Sequence, residues 1–232
     1  AVKEAMKGRK AVFSGDIGCY TLGNAQPLDM VDTCLCMGAG VTIAQGLHRV
    51  EPDAVNFAFI GDSTFFHTGI AGVVNAVYNQ HDIVLIVLDN ATTAMTGHQP
   101  HPGTGKTMMG EISQRISIEA VLRALGVASV EKADPLNLDQ AVSAVRRAAQ
   151  VSGVSAVIFE SPCIAVTKPA PALTVRAETC VGCKQCISKL GCPALTMEGG
   201  KALIDPSLCT GCALCSQVCP VGAISAPPRA QG

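Results

Sequence analysis

An acid and an amide, each standing where an apolar run ends, are the first residues of this chain whose types and spacing could do chemistry. The run Ala54-Val55-Asn56-Phe57-Ala58-Phe59-Ile60 breaks into Gly61-Asp62-Ser63, and the run Ile83-Val84-Leu85-Ile86-Val87-Leu88 ends in Asp89-Asn90. Between them Phe65 to Gln80 carries a helical pattern. Strand, acidic turn, helix, strand and amide turn make a βαβ unit, whose two polar groups emerge at the carboxyl ends of parallel strands, where open α/β sheets bind ligands. A carboxylate and a carboxamide converging there offer hard oxygen donors. Magnesium takes such donors and keeps phosphate oxygens in its shell, so the pattern points to a magnesium-bound phosphate ligand. The plainer alternative is a common Gly-Asp-Ser turn with Asn90 capping another.

The second reactive set is made of thiols. Eight of the twelve cysteines fall into Cys180-x2-Cys183-x2-Cys186-x5-Cys192-Pro193 and Cys209-x2-Cys212-x2-Cys215-x3-Cys219-Pro220. This duplication resembles the bacterial two-cluster ferredoxin, in which three close thiolates hold one cluster and the distal Cys-Pro reaches the other. The likeness implies one [4Fe–4S] cluster on Cys180, Cys183, Cys186 and Cys219, and a second on Cys209, Cys212, Cys215 and Cys192. Structural zinc is the alternative, although zinc favours paired C-x2-C motifs over such triplets. Leu190-Gly191 lengthen the first half by two residues relative to the simplest bacterial spacing. Lys184 and Lys189 flank the first triplet, where they suit docking of an acidic ferredoxin.

These groups need elements to position them. The 232 residues suit one medium domain and a small one, with 48% apolar residues and a formal net charge of −1, which gives no reason to expect nucleic acid or an anionic membrane surface as partner. No apolar stretch is long enough to span a bilayer. The opening Ala1-Val2-Lys3-Glu4-Ala5-Met6-Lys7-Gly8 has neither an initiator Met nor a secretion signal and reads as the interior of a longer protein. Clustered thiols of this kind belong in a reducing, anaerobic cytoplasm rather than in a disulfide scaffold.

Along the chain, Lys10 to Ser14 reads as a strand end and Gly15-Asp16-Ile17-Gly18-Cys19-Tyr20 as a glycine-bracketed loop on the same edge as Asp62. Cys19 has two readings, contact with a cofactor ring or a small buried thiol. Cys34 and Cys36 are spaced to lie on opposite faces of a strand. Gly38-Ala39-Gly40 leads into a helix over Val41 to Arg49, its small residues suited either to diphosphate oxygens or to tight packing. Asp16 and His48 are polar candidates for the pocket. The fifteen residues after Asn90, rich in Thr, Gly, His and Pro, form a loop long enough to be functional. Helices over Ile112–Leu125 and Leu138–Gln150 alternate with strands at Val127–Val130 and Val154–Phe159. The expectation is therefore an α/β domain over 1–167, a mostly parallel sheet with helices on both faces. A Pro/Ala linker at 168–175 and a small α+β ferredoxin-like domain over 176–232 follow.

Gly-Asp-Ser, about thirty residues, then Asn is similar to the thiamine-diphosphate motif. That likeness implies magnesium held by Asp62, Asn90 and the Thr92 carbonyl. Gly15–Tyr20, Asp32-Thr33-Cys34-Leu35-Cys36-Met37-Gly38, Gly61–Phe65, Leu88–Asn90 and Met95-Thr96-Gly97-His98-Gln99-Pro100, with the ferredoxin-like tail, resemble the C-terminal half of the alpha subunit in the indolepyruvate:ferredoxin oxidoreductases, within the 2-oxoacid:ferredoxin oxidoreductase family. The resemblance implies cofactor contacts from Asp16, Gly18, Cys19, Gly38, Gly61, Asp62, Ser63, Asn90, Thr92 and Thr96. It implies arylpyruvate substrates, coenzyme A as acyl acceptor, ferredoxin as electron acceptor and a beta subunit in a hetero-oligomer. The glutamate that activates thiamine normally comes from a pyrimidine-binding domain with no place in these 232 residues, so that domain is an expected further partner. Two alternatives stay open: a non-oxidative thiamine-dependent decarboxylase, and an iron–sulfur protein that only transfers electrons.

Overall fold

The computed structural model describes residues 1–226. It divides into two compact units, one of Ala1–Asn24 with Met30–Val166, the other of Ala25–Asp29 with the chain from Thr167 on.

The first unit is built on a parallel five-stranded sheet. Its strands are β1 (Ala11–Ser14), β2 (Val55–Gly61), β3 (Ile83–Asp89), β4 (Ser129–Ala133) and β5 (Val154–Glu160), in the order β1-β2-β3-β5-β4. The apolar runs of β2, β3 and β5 become central strands because both of their faces are covered, which is why they read as continuous rather than alternating. Ala58 and Ile60, Leu85 and Val87, and Ala156 and Ile158 face one core with helices α2 (Ala39–Val50), α4 (Ile70–Tyr78) and α5 (Ile118–Ala124). Phe57, Val84, Ile86, Val157 and Phe159 face the other with α1 (Val2–Ala5) and α6 (Leu138–Ala148). Each such fully buried aliphatic or aromatic side chain contributes about 1.5–3 kcal/mol relative to exposure.

Helical structure after β2 begins at once, with α3 (Asp62–Thr64), and then widens into a π-turn over Phe65–Gly69 before α4. The helix expected over Ile112–Leu125 is shorter than its pattern. Ile112 and Ile116 are 93% and 48% exposed, so their spacing marks no buried face, and the helix starts where the Ser117 hydroxyl accepts from the Ala120 amide. Cys34 and Cys36 lie in irregular chain, not on a strand; just before them Asp32 and Thr33 bond to Phe13 and a bridge joins Thr33 to Ser14.

The second unit has two short antiparallel pairs, β6 (Thr174–Val175) with β9 (Ile224–Ser225) and β7 (Leu195–Glu198) with β8 (Lys201–Ile204), and two single-turn helices, α7 (Gln185–Ser188) and α8 (Leu214–Gln217). Its halves repeat each other in backbone as in sequence. Gly182 and Gly211 both take positive φ, as do Lys184 and Ala213 at φ +61° and +62°. Residues 168–175, read from the sequence as a connector, bond to this unit: the Ala170 amide donates to the Thr210 carbonyl, and Thr174–Val175 form β6. Gly191, one of the two additional residues, closes against Pro27.

Candidate functional site

Three loops leave the carboxyl ends of β1, β2 and β3 and line an open cleft of about 140 Å³. Gly18, Cys19, Gly61, Asp62, Ser63, Asn90, Thr92 and Thr96, all expected to meet a cofactor, border it, together with Tyr20, Met37 and Met95. Asp16 and Gly38 lie behind this lining. Asp16, 1% exposed, accepts the Gly38 amide on Oδ1 at 2.8 Å and the Tyr20 hydroxyl on Oδ2 at 2.6 Å. The Tyr20 hydroxyl in turn accepts the Gly61 amide at 2.7 Å. One carboxylate and one phenol therefore tie the start of α2, the β1 loop and the end of β2 into a single framework. Burial and then the Asp16 contact push the Tyr20 pKa upward, so the phenol stays neutral and keeps both bonds. Gly38 is at φ +82° against Thr68, and a Cβ on Gly40 would lie 2.5 Å from the Gly15 carbonyl oxygen, so these glycines serve close packing of α2 on the β1 loop.

The acid and the amide meet as their spacing predicts. Asp62 is 2% exposed; its Oδ1 accepts the Ser63 amide at 2.8 Å and its Oδ2 accepts the Asn90 amide at 3.1 Å. The Asn90 side-chain oxygen accepts the Thr92 amide at 3.1 Å, which curls the chain so that Asp62, Asn90 and Thr92 border one cleft. Thr93 donates its hydroxyl to Ser63 at 2.8 Å and pins the loop. Asp89 lies beside Asp62. Burial and then the adjacent Asp62 carboxylate hold Asp89 above the usual carboxylate range, against the Ala91 amide and the Arg115 guanidinium 3.5 Å away. Two carboxyl groups are thus crowded at one edge of the cleft, where each resists ionisation of the other.

His48 is not part of this cleft. It sits near the end of α2, its ring 5.6 Å from that of His81, which precedes the amino end of β3. Tyr20 and His101 are the functional candidates that the spacing did not single out, because the Gly61 amide that meets Tyr20 and the Asp62 carboxylate that meets His101 lie 41 and 39 residues away in sequence.

In the second unit the thiols gather in the crossed sets implied by the ferredoxin likeness. Cys180, Cys183, Cys186 and Cys219 border one recess of about 20 Å³. Cys192, Cys209, Cys212 and Cys215 border another of about 320 Å³, which Leu173, Leu190 and Leu208 also line. Burial, then Cys212, Cys209 and Cys192, push the Cys215 thiol up to about 11. Burial likewise raises Cys186, with Cys183, Cys219 and Cys180 adding to it, whereas backbone amides of Ala202 and Gly182 lower Cys180. Among the described residues no three His, Cys, Asp or Glu side chains are placed to hold a single metal ion. Lys184 and Lys189 are exposed.

The profile of the thiamine pyrophosphate enzyme C-terminal TPP-binding domain matches residues 16–159, from the loop after β1 to the end of β5. The chain belongs to this thiamine pyrophosphate enzyme family. The 4Fe-4S binding domain profile matches residues 202–225, the half with the standard spacing. Two relatives named indolepyruvate oxidoreductase subunit IorA are similar over almost the whole chain. The protein of Archaeoglobus fulgidus is 46% identical over 92% of this chain, and that of Methanothermobacter marburgensis 44% over 94%. The chain spans 35% and 36% of their respective lengths. Among solved structures, a 2-oxoglutarate:ferredoxin oxidoreductase from Magnetococcus marinus is similar in fold, with a TM-score of 0.61 at 19% identity over 72% of this chain and 61% of that one. No helix among the described residues is long and apolar enough to cross a membrane.

Proposed function

We propose that this chain is the thiamine-diphosphate and iron–sulfur portion of a 2-oxoacid:ferredoxin oxidoreductase acting on arylpyruvates such as indolepyruvate. Its thiamine diphosphate would supply carbanion chemistry for oxidative decarboxylation to an acyl-coenzyme A, and its two [4Fe–4S] clusters one-electron transfer to ferredoxin. The observation that carries the reading is the meeting of Asp62, Asn90 and Thr92 on one cleft in a chain that also gathers two cysteine tetrads.

The residues present fit the groups proposed. Asp62, the Asn90 side chain and the Thr92 carbonyl are hard oxygen donors suited to Mg²⁺, and the adjoining Asp62 and Asp89 carboxylates provide charge for it. The Asp16–Tyr20 framework supports the wall of the cleft, and Met37 and Met95 give it apolar, polarizable surface. Cys180, Cys183, Cys186 and Cys219 would hold one cluster, and Cys192, Cys209, Cys212 and Cys215 the other. Burial and neighbouring thiols keep Cys186 and Cys215 protonated when free, so iron would displace their protons, which leave to solvent.

The thiamine-activating glutamate, a pyrimidine-binding domain and a beta subunit belong to the rest of the assembly in this reading. The test is anaerobic reconstitution with those partners, following reduction of a viologen dye and acyl-coenzyme A formation from indolepyruvate, phenylpyruvate and pyruvate. Dye reduction that requires coenzyme A and is fastest with an arylpyruvate is expected. Release of free aldehyde with the dye left oxidised would replace the proposal with a non-oxidative decarboxylase.

A further inference from the structure

We propose that His101 is a positioning residue, fixing the rotation of the Asp62 carboxylate so that it is held ready for a divalent cation. The inference rests on the reading of Asp62 as a cation ligand.

His101 is 8% exposed, and its ring packs 5.8 Å from that of Phe66 at 30°. The tautomer follows from its two neighbours. The Gly103 amide donates to Nδ1 at 3.1 Å, so Nδ1 carries no proton and the ring hydrogen resides on Nε2. Nε2 lies 3.1 Å from Asp62 Oδ2 and donates to it. The turn that presents the Gly103 amide is itself closed, since the Thr104 amide and hydroxyl both donate to the His101 carbonyl at 2.8 Å. A Cβ on Gly103 would lie 2.9 Å from the Phe66 ring and 3.0 Å from His101 Cε1, so glycine lets the turn close against both rings.

Asp62 is thereby held at both oxygens, Oδ1 by the Ser63 amide and Oδ2 by the Asn90 amide and His101. His101 supplies a side-chain nitrogen to this set, beside the Asp89 carboxyl. An imidazole held at both of its nitrogens orients the carboxylate, as the outer partners of metal ligands commonly do.

The test uses the complete chain, with clusters loaded and partner polypeptides present, at fixed thiamine diphosphate. Cofactor binding is followed by calorimetry or circular dichroism while Mg²⁺ is titrated into the parent, D62A, H101Q and H101N. The glutamine amide nitrogen reaches the place of Nε2, whereas the asparagine nitrogen reaches only that of Nδ1. H101N is expected to raise the Mg²⁺ midpoint roughly 10–100-fold while still binding fully at saturation, and H101Q to restore most of the parental midpoint. A parental midpoint in H101N, a failure of H101N to saturate, or an H101Q as weak as H101N would each overturn the assignment while D62A abolishes binding. Unchanged Mg²⁺ dependence in D62A would instead overturn the cation-ligand reading beneath it.

Discussion

In the first unit the groups offered to a ligand stand at the rim of a core that is complete without them, whereas in the second three of the eight clustered thiols are themselves among the buried residues. Ile60, Leu85, Val87 and Ile158 close the first core one layer beneath Asp62 and Asn90, and none of them lines the cleft. In the second unit Cys180, Cys186 and Cys215 are buried beside a few apolar side chains such as Leu195, Ile204 and Ile224, between strand pairs of two and four residues. Domains this small bury too little surface to be secure without a staple, and a metal cluster is one. Ligand loss should therefore empty the first unit and dismantle the second.

That contrast is breakable by experiment. The largest effect is expected from anaerobic iron chelation: amide hydrogens of the Leu195–Ile204 hairpin should lose protection from exchange while those of β2, β3 and β5 keep theirs. Retained protection in the hairpin would make the two units alike. Next comes D62A, which should weaken Mg²⁺-dependent thiamine-diphosphate binding by more than the roughly 100-fold limit typical of outer-shell changes, with the iron–sulfur spectrum unchanged. Smaller again is Y20F, which strips a partner from both Asp16 Oδ2 and the Gly61 amide; destabilisation of roughly 1–3 kcal/mol in denaturant melts is expected from those two buried groups.

The smallest effect concerns Glu131, whose carboxylate accepts from Arg147 at 2.6 Å and is held below its ordinary pKa first by that hydrogen bond. A depressed folded-state pKa gives stability that is present above the ordinary glutamate value and is lost as pH falls through the depressed one. E131Q should accordingly melt slightly below the parent at neutral pH, with the gap closing on acidification. Because the pair is largely exposed, the gap should sit near the limit of what a melting curve resolves.

Much of this architecture was legible in the sequence, and the misreadings have physical reasons. Strands β2, β3 and β5 announced themselves because both faces are buried, and the acid and amide at their ends needed only strand polarity to meet. The thiol repeat was readable because cluster ligation fixes residue type and spacing together. Helix α5 was overdrawn because Ile112 and Ile116 imitate a buried stripe while facing solvent. His48 follows the same helix as Gly38 but stands at its far end, a distance that residue type alone does not convey. The excursion of Ala25–Asp29 into the second unit has no local signal at all. Tyr20 and His101 were likewise silent, since each acts through an atom contributed by a distant turn.

The framework of Gly38, Asp16, Tyr20 and Gly61 has a kinetic corollary. Three loops that are already braced against one another have little left to freeze when a diphosphate arrives, so little ordering entropy opposes its capture. Association should then proceed in one phase whose rate rises linearly with ligand concentration, and differences in affinity among variants of this wall should appear mainly in how fast the ligand departs.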